Sequence, residues 1–297
     1  MYYNHLLILI TFLLIITSVV CTYVFQNKQI KSQHKKYLWW SNQHFMKSKW
    51  LLNCVLCCAF LLYFILIRYS YDAEQLVFLK THSPIYIQQH YYEYSFRMSK
   101  VLLLDWCPCV MMILILLGIF DYKQHLLQYF GFVSFSLGLF TIIGSAFQEP
   151  ILYSDALEYT FIGLGNDRLY FMMHFFMVIF GLINYLRIQS INKIGIIMAH
   201  LFLIGYIAYA NILAYSLHID YNVGGFKIGD WYVHDWSLNN AQFGVLASYL
   251  KLKWYYNLLI MIAIVYFSIS TLCTIHLLIV YRLQNKLKIF KRQASRI

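Results

Sequence analysis

Seven apolar runs, each about 20 residues long, constrain this chain more than any other feature of its sequence. A helix of that length crosses the hydrocarbon core of a bilayer, which is roughly 30 Å thick. The runs lie near residues 4–25, 51–69, 101–120, 126–148, 169–187, 194–217 and 255–281. No repeat, low-complexity tract or linker separates them, so residues 1–297 are expected to form a single integral membrane domain. The predicted fold is an all-α polytopic bundle of about seven transmembrane helices.

The composition favours a membrane location over a soluble fold. Charged residues make up 12% of the chain, about half of the roughly 25% that is usual for soluble domains. The formal net charge is +11, but the basic residues lie in short segments between the apolar runs rather than on one folded face. Nucleic-acid binding is therefore not expected. We predict a multi-pass protein of a bacterial cell membrane, with an organelle membrane as the alternative.

The placement of lysine and arginine predicts how the bundle is oriented, because cytoplasmic segments are enriched in these residues. Most of the 23 basic residues lie on one side, which includes the C-terminal tail. The other side holds Arg68, Lys80, Arg97, Lys100, Arg168, Lys227, Lys251 and Lys253, together with most of the acidic residues. We therefore expect the N-terminus outside and the C-terminus in the cytoplasm. The long outer segments 70–99 and 218–254 are aromatic-rich and are expected to lie along the membrane surface.

Polar side chains inside the apolar runs are the candidates for function, because each of them costs free energy in hydrocarbon. Asp105 and Cys107 lie in the third run, His174 in the fifth and Asn211 in the sixth. At 1.5 Å per residue, Cys107, His174 and Asn211 each lie roughly 8–9 Å below the outer end of their helix. The predicted site therefore assembles from three helices at one level of the membrane.

Cys107 and His174 suit nucleophilic catalysis. A thiol is a strong nucleophile only as the thiolate, and a histidine within hydrogen-bond reach takes its proton and later returns it to a leaving group. Asp105 would orient the histidine or hold it charged, and Asn211 would support the site. At this depth the natural substrate is a phospholipid, whose ester carbonyl lies near the same level. An acyl-cysteine would then pass the acyl group to another lipid or to water, without a metal or other cofactor.

Structural roles compete with this interpretation. A lone cysteine in a membrane helix is usually a small packing residue. A buried histidine often forms a hydrogen bond to a neighbouring helix, and the side chain of Asp105, near a helix end, can extend to the membrane surface. Cys54 and Cys57 form a Cys-x-x-Cys in an apolar helix and are interpreted as packing rather than metal ligands. Ser134 and Gly138 form a small-xxx-small pair, which predicts a central, closely packed fourth helix.

At these same positions the sequence resembles the YwaF-like bacterial integral membrane proteins, whose animal relative is transmembrane protein one-six-four. Members show a third-span Leu-x-Leu-His-Leu-Cys-like motif, an aromatic-glycine span that ends in proline, one histidine in the fifth span and an asparagine in the sixth. The matching stretches run in this order over residues 50–282: Leu103-Leu104-Asp105-Trp106-Cys107, Tyr129-Phe130-Gly131 through Glu149-Pro150, Met173-His174-Phe175, Asn211 and Trp254-Tyr255-Tyr256. The resemblance implies a seven-helix acyltransferase-like fold. It also implies that Cys107 and His174 move fatty acyl groups between phospholipids.

Asp105 stands where many members of that family place a histidine or another neutral polar residue, a departure that concerns the reaction more than the fold.

Two other classes of function stay open. In a small-solute or ion transporter, or a substrate-capture subunit, Asp105 and His174 would bind a cation or proton, and Cys107 would be dispensable. In a non-catalytic subunit of a membrane complex, none of these residues would matter. Acyl transfer instead predicts that Cys107 and His174 fail together and non-additively.

Overall fold

The computed structural model describes residues 3–32, 43–123, 125–144, 151–165, 168–186, 193–217 and 219. All regular secondary structure in these ranges is helical, and they contain no strand. The seventh predicted run, 255–281, and the end of the fourth, 145–148, lie outside the described residues.

The helices follow one another in a simple order along the chain. They are α1 (Tyr3–Ser32), α2 (Gln43–Phe64), a π-helical turn (Ile65–Tyr69), α3 (Ser70–Thr81), α4 (Pro84–Gln89), α5 (Tyr91–Val101), α6 (Trp106–Phe120), α7 (His125–Gly144), a 3-10 turn (Tyr153–Asp155), α8 (Ala156–Phe161), α9 (Tyr170–Tyr185) and α10 (Lys193–Ser216). The predicted runs thus correspond to α1, α2, α6, α7, α9 and α10, with ends that differ by several residues.

Four helical stretches are long and apolar enough to cross a membrane, namely Tyr3–Cys21, Trp50–Thr81, Tyr91–Phe120 and Leu126–Gly144. Two shorter apolar helices, Tyr170–Tyr185 and Ile197–Ala210, coincide with the fifth and sixth predicted runs. The prediction of an all-helical chain is confirmed for the residues that the structure describes. The four long stretches also agree with a membrane location.

The second predicted run ends too early. The apolar pattern ends at residue 69, but α2 passes through the π-helical turn directly into α3 and stops only at Thr81. The 32-residue stretch Trp50–Thr81 is about 48 Å long at 1.5 Å per residue, which exceeds a hydrocarbon core of roughly 30 Å. The helix continues because the charged positions that end the apolar pattern are satisfied inside the protein and do not have to leave the bundle.

The third predicted run starts too early, and the segment before it is helical. The run begins at residue 101 in the sequence prediction, but the chain leaves the helix after Val101 and re-enters it at Trp106. Before this break, α5 packs beside α3, so most of segment 70–99 forms a helical hairpin between the π-helical turn and the break. The hairpin places its charged side chains next to the break.

Small residues bring α7 and α9 close together. A Cβ added to Gly181 would lie 2.6 Å from the Gly131 carbonyl oxygen, and one added to Gly138 would lie 2.9 Å from the His174 carbonyl oxygen. Ser134 Oγ donates a hydrogen bond of 3.2 Å to a backbone carbonyl of α9. The predicted central packing of the fourth helix is therefore confirmed, and it fixes the position of His174 relative to α7.

Two side-chain contacts fasten α2 to the rest of the bundle. Cys57 is fully buried and packs against Gly118 of α6 so closely that a Cβ at residue 118 would overlap its Sγ. Asn53 Nδ2 donates a hydrogen bond of 3.1 Å to Asn184 Oδ1 of α9, and both side chains are buried. The interpretation of Cys57 as a packing residue is confirmed.

Candidate functional site

The break between α5 and α6 contains one of the two non-glycine residues with a left-handed backbone in the described structure. Leu103 has a φ of 54°, a left-handed conformation that costs a residue with a Cβ about 1–3 kcal/mol. Asp105 occupies the N-cap position of α6, but its side chain caps no backbone N–H. Its carboxylate instead accepts a hydrogen bond of 2.5 Å from Lys100 Nζ, so an ion pair joins the two ends of the break.

Two tyrosines of α10 hold the broken segment in place. The Tyr206 hydroxyl donates to the Leu104 carbonyl, and the Tyr209 hydroxyl donates to the Leu102 carbonyl at 2.6 Å. These bonds satisfy acceptors that lost their helical partners when the helix stopped. Asn211, the residue that the sequence predicts for this helix, lies further along α10, and its side chain is outside the described part of the structure.

Five charged side chains form a buried ionic cluster beside the break, and we use this name for Arg68, Asp72, Arg97, Lys100 and Asp105. Arg97 Nη1 lies 2.7 Å from Asp72 Oδ1, and Arg68 Nη2 lies 3.9 Å from Asp105 Oδ2. All five residues are no more than 9% exposed. They therefore belong to the protein interior, where charges are tolerated only when they are paired or bound.

The burial of this cluster corrects the sequence analysis, which places Arg68, Arg97 and Lys100 on the outer side of the membrane, at the end of the second run and in the segment that follows it. They are buried because Asp72 of α3 and Asp105 at the start of α6 supply carboxylates for them. Asp72 follows Arg68 by one helical turn and faces Arg97 on the neighbouring helix. Hydropathy averages over a window, so it treats such charges as the end of a span and does not register their partners.

A second irregularity faces the cluster from α9. Leu169, directly before the helix, also has a left-handed backbone, with a φ of 59°. The preceding carbonyl, that of Arg168, accepts a bond of 3.3 Å from Arg68 Nη1, which also lies 3.6 Å from Met173 Sδ. Arg68 itself projects from the π-helical turn, a geometry that is frequent at functional sites. Three departures from regular helix thus meet at one arginine.

Cys107 is the second residue of α6, directly beyond the break, and is partly exposed. Its Sγ is 3.4 Å from Thr141 Oγ1 of α7. Because Thr141 donates its own proton to the Leu137 carbonyl at 3.0 Å, its oxygen is placed to accept the thiol proton. Cys107 is therefore a thiol that donates a hydrogen bond to the Thr141 hydroxyl oxygen.

His174 is buried and lies one turn after the first residue of α9. Its Nδ1 lies 2.6 Å from the Tyr170 carbonyl oxygen, and its ring packs edge-on against the Tyr170 ring at 4.8 Å. Since a carbonyl oxygen only accepts, this bond requires the proton on Nδ1. A neutral His174 then carries its lone pair on Nε2, which is the form that a general base needs.

Thr141 contacts Cys107 and also Tyr170, whose ring packs against His174. Its hydroxyl meets Cys107, and its carbonyl accepts a bond of 3.4 Å from the Tyr170 hydroxyl, one turn from His174. Cys107 and His174 are not hydrogen-bonded to each other among the described contacts. The described contacts thus connect the two residues through Thr141 and Tyr170 and not directly.

The sequence analysis expects Asp105 to orient the histidine. Among the described contacts, however, Asp105 forms no hydrogen bond with His174. Its Oδ2 is held by Lys100 and Arg68, and its Oδ1 is buried without a hydrogen-bond partner in the described structure. Lys100, Arg68 and the two tyrosines of α10 are the site residues that sequence reasoning missed. The spacing of Arg68 and Asp72 by four residues was the available signal, whereas nothing distinguishes Tyr206 among 27 tyrosines.

The comparisons with known proteins give a family but no activity. The model of a family of unknown function, DUF5378, matches residues 15–296. The chain is 27% identical over 163 residues to the uncharacterized protein MG135 of Mycoplasma genitalium, covering 54% of this chain and 55% of that protein. It is 28% identical over 141 residues to the MG135 homolog of Mycoplasma pneumoniae, covering 46% and 48%. The chain thus spans about half the length of these curated relatives. No solved structure matches.

Proposed function

The chain belongs to the DUF5378 family, and we propose that it is a multi-pass membrane acyltransferase that moves fatty acyl groups between phospholipids through an acyl-cysteine at Cys107. The observation that supports this proposal is a series of contacts that runs from the partly exposed Cys107 thiol through Thr141 and Tyr170 to His174, whose Nδ1 proton is committed to the Tyr170 carbonyl. Acyl transfer requires a nucleophile and a base with a free lone pair, and Nε2 of His174 carries such a lone pair. The resemblance to the YwaF-like proteins supports the same activity.

The proposed reaction is an ordinary two-step acyl transfer. The Cys107 sulfur attacks the ester carbonyl of a phospholipid while its proton passes to Nε2 of His174. The tetrahedral intermediate collapses to a thioester, the ester C–O bond breaks, and the departing lysophospholipid oxygen takes the proton from His174. A second lysophospholipid or a water molecule then attacks the thioester with the same base, which restores the thiol.

We also propose the finer membrane arrangement that the sequence predicts. It has seven spans, with the N-terminus outside and the C-terminus in the cytoplasm of a bacterial cell membrane. The excess of lysine and arginine on the side of the C-terminal tail supports this orientation. Cysteine-accessibility labelling from each side of sealed vesicles, at residues 80 and 123, tests it. The arrangement is wrong if Lys80→Cys is labelled only from the cytoplasmic face.

Acyl capture on the purified full chain tests the enzymatic proposal. The protein in nanodiscs is incubated with phospholipid that carries a labelled acyl chain, and hydroxylamine-sensitive label is located by mass spectrometry. We expect label on Cys107 that is absent in Cys107→Ala, reduced in His174→Gln and unchanged in Cys109→Ala, a thiol on the same helix. Label that persists in Cys107→Ala, or no label on a folded wild type, contradicts the proposal.

A second candidate function is capture or transport of an anionic solute. The sequence alternative has Asp105 and His174 binding a cation or proton, but Asp105 is already paired with Lys100 and Arg68. Three cations face two carboxylates in the buried ionic cluster, which favours an anion. This candidate predicts that Cys107→Ala retains full activity in a solute-uptake assay with proteoliposomes, whereas Arg68→Gln loses it.

A further inference from the structure

Arg68 is buried, yet its hydrogen-bonding capacity is largely unused in the described structure. The guanidinium carries five N–H donors. Its contacts are one bond of 3.3 Å to the Arg168 carbonyl, a sulfur contact of 3.6 Å to Met173 and a distance of 3.9 Å to Asp105. The residue is 5% exposed. A buried cation with so few acceptors is costly unless another anion completes its coordination.

The carboxylates of the cluster are committed elsewhere. Arg97 and Asp72 form a tight pair at 2.7 Å, and Lys100 and Asp105 form another at 2.5 Å. Within each pair the positive and the negative charge neutralise each other, and Arg68 is the third cation. Its 3.9 Å distance from Asp105 exceeds hydrogen-bond length. The charge of Arg68 is therefore the excess charge of the buried ionic cluster.

The surroundings of Arg68 indicate which kind of anion reaches it. Ile65, Leu66 and Tyr69 belong to the same π-helical turn, and all three are exposed, as is Leu62 one turn earlier. An apolar exposed face beside a single buried cation fits an amphiphile, whose chains lie against the helix while its headgroup turns inward. A small soluble anion has no apolar part that could contact that face.

We propose that Arg68 is the docking group for the phosphate diester of a membrane phospholipid. The arginine fork matches two phosphate oxygens, and Arg68 has the donors for such a bidentate contact. The bound phosphate completes the coordination of Arg68 and balances the excess charge of the cluster. The inference rests on the proposed function, because it makes the docked phospholipid the acyl donor and places its headgroup near the level of Cys107.

Headgroup preference is measured on the Cys107→Ala full-length chain, which binds lipid without forming a thioester. Native mass spectrometry compares dioleoyl phosphatidylglycerol, dioleoyl phosphatidylcholine and dioleoylglycerol, which share their acyl chains but not the phosphate. We expect both phospholipids to bind more tightly than dioleoylglycerol. Arg68→Gln should weaken phospholipid binding about 10- to 100-fold. Lys80→Gln, which removes an exposed charge from the same continuous helix, should not.

Each contrary result identifies a different error. Equal binding of dioleoylglycerol and the phospholipids overturns the proposal without any substitution at Arg68, so the test does not depend on the folding of that variant. Unchanged binding in a folded Arg68→Gln also overturns it. Displacement of the lipid by inorganic phosphate, in an Arg68-dependent manner, replaces the lipid by a soluble anion and overturns the assignment. Headgroup binding without acyl-Cys107 in the unmutated chain leaves the docking group intact and contradicts acyl transfer alone.

Discussion

Lys100 and Asp105 form an ion pair across the break between α5 and α6, with Nζ 2.5 Å from Oδ2. Lys100 lies in the last turn of α5, and Asp105 is the last residue of the four-residue interruption, so the ion pair spans the interruption. Asp105 also lies 3.9 Å from Arg68. One carboxylate thus connects the π-helical turn after α2, the end of α5 and the helix that carries Cys107.

Removing the charge of Asp105 should destabilise the protein strongly. Asp105→Asn leaves Lys100 and Arg68 buried without their shared carboxylate, and breaking a buried pair from one side costs about 3–5 kcal/mol. The measurement is the free energy of unfolding in detergent, with Glu74→Gln on the exposed face of α3 as the control. The double variant Lys100→Met/Asp105→Leu should recover most of the loss. Equal stability of Asp105→Asn and Glu74→Gln would falsify this account.

The α7–α9 contact should not accept a methyl group at Gly181. The added Cβ would lie 2.6 Å from the Gly131 carbonyl oxygen. This oxygen belongs to the backbone of a helix, so it cannot move away as the end of a flexible side chain can. We expect Gly181→Ala to cost about 1–3 kcal/mol of unfolding free energy. Gly205→Ala on α10 is the matched control, because its Cβ would meet nothing within 4 Å. That control should be neutral or slightly stabilising, since alanine favours the helix; the packing argument fails if the two variants behave alike.

Tyr206→Phe should weaken the helix break and, through it, the site. The hydroxyl donates to the buried Leu104 carbonyl, so its removal leaves an unsatisfied acceptor at a cost of about 1–3 kcal/mol. Acyl capture by Cys107 should fall as well, because the break sets the position of the next turn. Both the unfolding free energy and the thioester yield are compared with Tyr122→Phe, an exposed tyrosine. A loss of stability without any fall in thioester yield would restrict Tyr206 to a structural role.

Gly118→Ala should destabilise the α2–α6 contact, and Cys57→Ala should rescue it. A Cβ at residue 118 overlaps the Cys57 Sγ, and shortening Cys57 removes that atom. A double-mutant cycle on unfolding free energies should therefore show a favourable coupling of about 0.5–3 kcal/mol. Strictly additive variants would mean that Cys57 does not pack where the structure places it.

The residues at the site illustrate what a sequence pattern can and cannot reach. Depth counted along each helix predicts that Cys107 and His174 share one level, because the rise of an α-helix is constant. The same counting gives no rotation about the helix axis, so it does not detect the contacts of Thr141 with Cys107 and Tyr170. It also places Arg68 at the outer end of the second run and Lys100 in a connecting segment, since the span appears to end where charges begin.

The sequence by itself determined the all-helical architecture, the runs long enough to cross a bilayer and the small residues that pack α7 on α9. Backbone hydrogen bonding in an apolar medium allows few alternatives to a helix, and glycine spacing survives any choice of topology. Only the tertiary structure decided which charges are buried together, where the third span breaks and which groups surround Cys107 and His174. Those features depend on side chains from distant parts of the chain, such as Tyr206 on Leu104 and Arg97 on Asp72. Their energies come from pairing in three dimensions, which no local pattern encodes.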